Sequence, residues 1–186
     1  SCKVLSDILK SAPRSEVETL VQELISQLPP DRWAELNAKF SDDQPMTWDE
    51  IQTLASRGVL IGSHTHDHAV LHPRQPREEV HRQLVLSRQL IERHAGRCEH
   101  FCFPNGKFSD ISPVSIELIR AAGYRSATTT VDGTIDASAS HLLLPRCGFD
   151  RPELLIEYRL KHLFDSQSEL RHNQGHILNA IAASSK

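Results

Sequence analysis

Apolar residues at Val17, Leu20, Val21, Leu24, Ile25 and Leu28 recur at the spacing of a single helix face, and Pro29-Pro30 ends the run. Asp31 is then placed to cap a second short helix around Trp33-Ala34-Glu35-Leu36, so the chain to about Phe40 reads as helices alone. A polar stretch, Ser41-Asp42-Asp43-Gln44-Pro45, reads as a loop. Thr47 follows as an N-cap for a helix over Trp48–Ala55, with Glu50 at the third position completing a capping box and Gly58 closing the element.

From Val59 the pattern changes. Val59-Leu60-Ile61-Gly62-Ser63 is a short apolar run of the kind that is buried on both faces of a parallel sheet. An amphipathic helix is expected from Arg77 to His94 through Val80, Leu84, Leu86, Leu90 and Ile91, then a strand at His100–Phe103. A helix near Ser112–Ala122, strands at Tyr124–Thr130 and Leu142–Arg146, and a last helix from about Ser166 to Ala183 complete the pattern. Strands alternating with helices imply parallel pairing through crossover helices, which places functional residues where strands end. Four strands are too few to close a (β/α) barrel, so the expected fold class is α/β, a partial or distorted (β/α) barrel or an open sheet, preceded by a helical segment. The expected division is a helical segment over residues 1–45 and an α/β part over 46–186.

Composition narrows the choices. A length of 186 residues suits one domain, and a net charge of −3 argues against nucleic acid as the main partner. No run approaches about 18 apolar residues and the start lacks a secretory layout, so no transmembrane segment is expected and the default location is cytoplasmic. The four cysteines, Cys2, Cys98, Cys102 and Cys147, are too few for a disulfide scaffold and read as thiols. Histidine, with 11 residues, is the conspicuous excess.

Three of these histidines fall within Gly62-Ser63-His64-Thr65-His66-Asp67-His68, at the end of the first expected strand. If the chain turns helical there, His64 and His68 stack on one face and two imidazole nitrogens reach one cation, while His66 points elsewhere. The plain alternative is a solvated His-rich turn. His72 extends the row, but Pro73 breaks a helix at that point.

The segment Gly58–Leu71, with Ile61-Gly62-Ser63-His64-Thr65 followed by His68 and Leu71, resembles the second motif of the polysaccharide deacetylases, the NodB-homology group of carbohydrate esterase family 4. Met46-Thr47-Trp48-Asp49-Glu50, Phe101-Cys102-Phe103-Pro104-Asn105-Gly106, and Ala122-Gly123-Tyr124 leading into Thr128-Thr129-Thr130 resemble further elements of that family. The resemblance covers roughly Pro45 to Phe149. It implies a distorted (β/α) barrel, an N-acetylated carbohydrate substrate, and a divalent ion, most often zinc, held by two histidines and an aspartate. His64 and His68 fall on the histidine positions.

The first motif of the family, a strand ending in Phe-Asp-Asp that supplies the aspartate ligand and the general base, is expected further upstream and is not found there. Phe40-Ser41-Asp42-Asp43 imitates its letters but sits only 21 residues before His64, after a helix. The chain therefore reads as the C-terminal part of a deacetylase, impaired as it stands, with no general base, general acid or third ligand assigned; Asp67, His66 or water could complete a poorer site. Phe103, Pro104, Asn105 and Gly106 form the aromatic-proline-glycine variant of the third motif. Such a turn either offers backbone N–H groups to a substrate oxygen or is a plain tight turn. Arg146 resembles a Leu-Pro-Arg element of close relatives and orients a sugar or carboxylate oxygen, or else forms a structural ion pair. A barrel lacking strands also exposes sheet edges, so self-association is expected. The rival reading is a non-catalytic remnant or interaction module with the deacetylase fold.

Overall fold

The computed structural model describes residues 2–41, 45–135, 139–146, 174–180 and 183. The chain divides into two compact units, Ser1–Leu60 and Ile61–Lys186.

The first unit is helical: α1 (Cys2–Ser11), α2 (Arg14–Ser26), α3 (Pro30–Lys39) and α4 (Trp48–Ser56). Pro13 and Pro29 stand just before α2 and α3, where the missing N–H costs nothing. Asp31 lies in the first turn of α3 rather than at its cap, because Pro30 already occupies the first helical position; its charge there suits the helix dipole. The α4 capping box forms as expected: the Thr47 hydroxyl accepts from the Glu50 N–H, and the Glu50 carboxylate accepts from the Thr47 N–H at 2.7 Å. None of α2, α3 or α4 contains a fully buried residue.

The second unit is built on parallel pairing. Strand β1 (His100–Cys102) pairs in parallel with β2 (Ser126–Thr128), Phe101 opposite Ala127. Two single bridges extend the array, Ser63 to Phe101 on one side and Thr128 to Leu144 on the other, both parallel. All four expected strand positions therefore lie side by side, but the regular strands are shorter than expected. The expected strand at Val59–Ser63 contributes Ser63 alone, and Val59 and Leu60 are 47% and 64% exposed rather than buried on both faces. Its sheet hydrogen bonds among the described residues run from Ser63 to His100 and Cys102, while the Val59 N–H turns back to Leu54 O at 3.1 Å.

The crossover helices α5 (Arg77–Ala95) and α6 (Pro113–Ala121) pack on each other. Their apolar faces join Leu71, Phe101, Phe103, Tyr124, Ala127 and Leu143 in one core, which includes Val80, Leu84, Ile116 and Ile119. Residues 174–180 are helical and pack against this core through Ile177 and Leu178, while Gln174 donates to the Leu143 carbonyl at 2.7 Å. Residues 166–173, 181 and 182 of the expected final helix lie outside the described residues, as do Cys147, Asp42 and Asp43. Among the described residues no helix is long and apolar enough to cross a membrane.

Candidate metal centre

The site begins where Ser63 meets β1. The Ser63 N–H donates to His100 O and the Ser63 carbonyl accepts from Cys102 N–H, each at 2.8 Å, and the Ser63 hydroxyl bonds that of Ser87 at 2.7 Å. This anchors the backbone one residue before His64.

His64 Nδ1 lies 2.7 Å from the carbonyl of Cys102. A carbonyl can only accept, so Nδ1 carries the proton and the Nε2 lone pair remains for a ligand. The His68 ring stands edge-on to that of His64, with centroids 4.8 Å apart and planes at 78°. With Zn–N bonds of about 2.1 Å, two imidazoles sharing one tetrahedral ion would have ring centroids roughly 5 Å apart, so this separation fits. Both residues are exposed, which leaves an approach for solvent.

The approach is not achieved by a helical turn. Thr65 and His68 have φ of 65° and 56°, in the left-handed region, and the intervening residues form a bend. The expected helical stacking of His64 on His68 is thus replaced by two left-handed residues that fold the chain back. Thr65 is β-branched and 8% exposed, and its hydroxyl has no hydrogen-bond partner among the described residues. The only other described non-glycine residue with positive φ is Asn105, at 58°, in the loop after β1. Backbone strain of this kind gathers at functional sites.

Helix α5 holds the bend from below. Gln83 Oε1 accepts from the N–H groups of His66 and Asp67 at 2.8 and 2.9 Å, and its Nε2 donates to Asp67 and Glu79. Arg82 bridges the same two carboxylates at 2.8 Å each. Burial pushes the Asp67 carboxyl up, but the hydrogen bonds from Arg82 and Gln83 outweigh it and hold the group below its ordinary value. Asp67 is therefore engaged with α5, and His66 Nε2 lies 3.6 Å from its other oxygen. Among the described residues no three His, Cys, Asp or Glu side chains are grouped so as to hold a metal ion.

The remaining sequence candidates lie at the ends of the next segments. Phe103 and Pro104 are buried, Phe103 edge-on to Phe101 with centroids 5.2 Å apart. Asn105 is half-buried and its carbonyl accepts from the Thr130 hydroxyl. Gly106, at φ 71°, fits because a Cβ there would come within 2.8 Å of Thr130 N. Arg146 is exposed and reaches back to Cys102, with Nη1 at 3.4 Å from Sγ. The Cys102 thiol holds the His64 imidazole above its ordinary value while desolvation opposes; in return His64, ahead of Thr128 and Arg146, holds the thiol below its own against burial. His72 is buried with Nδ1 accepting from Arg74 N–H at 3.1 Å, so it caps the turn at Pro73. Cys98 and Cys102 are both free thiols.

Sequence reasoning missed Gln83. Its signal was a polar residue on the apolar face of α5, where Val80, Gln83, Leu84 and Ser87 are the buried positions.

A family model for polysaccharide deacetylases matches residues 30–127, more than half of the chain. The chain belongs to the polysaccharide deacetylase family. The match of this polysaccharide deacetylase chain to its family model takes in the histidine bend, β1 and the loop after it. Among solved structures it is similar to the Streptococcus pyogenes deacetylase PplD in complex with acetate, at 15% identity and a TM-score of 0.51, covering 65% of this chain and 54% of that one. It is also similar to the BpsB deacetylase domain from Bordetella bronchiseptica, at 21% identity and a TM-score of 0.47, covering 54% and 48%. The chain thus spans about half the length of the solved structures it matches. No curated protein matches it. The likeness to PplD supports a deacetylase fold for its mixture of helices and few parallel strands.

Proposed function

We propose that this chain carries the metal-holding part of a hydrolase that removes N-acetyl groups from a poly- or oligosaccharide, with zinc the best-suited divalent ion. The observation that carries the reading is the convergence of His64 and His68, the first fixed by the Cys102 carbonyl so that Nε2 is the ligating atom. Neutral imidazole is a good donor to zinc and similar ions, and the two rings would supply two of the ligands. When bound, such an ion supplies Lewis-acid polarisation of an acetamide carbonyl and of water.

The residues of the chain do the rest. The N–H of Asn105 has no acceptor among the described residues, whereas those of Phe103 and Gly106 donate to Thr128 O and Pro104 O. In this reading Asn105 N–H meets the substrate oxygen, Phe103 and Pro104 support the turn from within, and Gly106 lets it close. The exposed Arg146 guanidinium turns its remaining N–H groups to a sugar or carboxylate oxygen. The four parallel segments are an arc of a (β/α) barrel, and their C-terminal ends carry these residues, as in such barrels generally. No base or general acid is assigned, so turnover by the chain as given is low. The lack of a third convergent donor among the described residues favours a second reading, a non-catalytic remnant that keeps the fold.

Zinc retained after dialysis, compared between the chain and His64→Ala, tests the site: the chain should hold zinc and the variant should lose it. Equal and negligible occupancy in both discards the metal reading. Acetate release from N-acetylglucosamine oligomers, with zinc or cobalt, separates the two readings in a longer version that adds a strand ending in two aspartates. Zinc binding without release there supports the remnant.

A further inference from the structure

We infer that Gln83 is a positioning residue for the His64–His68 pair, an inference that rests on the metal reading above. Its side chain is fully buried, at 0% exposure, beneath the bend rather than beside the rings. All of its hydrogen-bonding capacity is used within 2.9 Å: two N–H groups donate to Oε1, from His66 and Asp67, and both protons of Nε2 go to the carboxylates of Asp67 and Glu79. The network allows only this orientation of the amide, because the two backbone groups can only donate and the carboxylates only accept.

The geometric consequence concerns the two residues that Gln83 grips. His66 and Asp67 are the middle of the bend, flanked by left-handed Thr65 and His68. Without Gln83 the two N–H groups lose their acceptor on α5 and only the Asp67 carboxylate stays tied to that helix, so the strained path that sets the separation of the His64 and His68 rings is loosened at its backbone. Arg82 and Glu79 serve the same purpose one step removed: their ion pair fixes the Asp67 carboxylate that Gln83 also grips. The Cys102 carbonyl orients one ring; Gln83 sets the distance to the other.

The test is Gln83→Leu, similar in volume but without polar atoms, alongside Gln83→Glu, which keeps the acceptor for both N–H groups. Amide hydrogen exchange is measured on the metal-free proteins and zinc affinity by competition with a chromophoric chelator. In Gln83→Leu the His66 and Asp67 amides should exchange at least about tenfold faster while those of β1 and α6 keep their protection. Zinc affinity should fall roughly 10- to 100-fold, as for other groups that orient metal ligands. Gln83→Glu should recover part of the protection at His66 and Asp67. Unchanged exchange at these two amides in Gln83→Leu overturns the inference, as does protection lost equally throughout the second unit. If the unaltered chain takes up no zinc, the metal reading falls, and the hold of Gln83 on the bend is decided by exchange alone.

Discussion

The two units use the same apolar periodicity to opposite ends. In α2, Val21, Leu24 and Ile25 stay 37–44% exposed, whereas in α5 and α6 Val80, Leu84, Ile116 and Ile119 are 0–1% exposed. The first unit is thus helical by local signals, caps and prolines, and the second by burial against a paired backbone. Among the described residues, the paired strands and the His64–His68 ring contact both lie in the second unit.

The sharpest way to break this contrast is truncation in each unit. Phe101→Ala should cost about 3–5 kcal/mol, since the ring is 2% exposed and packs on Phe103 and Tyr124, while Leu24→Ala should cost under about 1 kcal/mol. Urea denaturation measures both, and similar losses would erase the distinction. A smaller contrast is expected between two glycines of positive φ. Gly106→Ala meets Thr130 N at 2.8 Å and adds a collision to backbone strain, for about 2–3 kcal/mol in all. Gly58→Ala has nothing within 4 Å and bears strain alone, about 1 kcal/mol.

A further difference is a pH trend at Cys98, confined to alkaline conditions. Burial pushes this thiol from 9.0 up to about 11. The unfolded chain releases that proton first, so folding stability should fall as pH rises between about 9 and 11 and be insensitive to this group below that window. Iodoacetamide labelling of native Cys98 should accelerate only towards pH 11; rapid labelling at pH 8 would contradict its burial.

Local chemistry was legible from the residues alone. Thr47 with Glu50 marked a helix start that the structure reproduces, the helix expected near Ser112–Ala122 forms as α6, and α5 begins at Arg77 as expected. The His64–His68 pair was chosen by its spacing, yet it forms through left-handed residues at 65 and 68, which periodicity does not encode. Val59 and Leu60 carried the letters of a buried strand, but burial depends on neighbours that a short apolar run does not specify. Gln83 escaped notice because the His66 and Asp67 N–H groups that it accepts from, 17 and 16 residues away, become neighbours only once α5 folds back under the bend.

The acceptor that fixes the His64 ring belongs to the main chain, so every amino acid at position 102 brings the same oxygen. Replacing the thiol there would alter the charge felt by the imidazole without unseating its tautomer. Position 102 can thus be retuned while the imidazole keeps facing the same way.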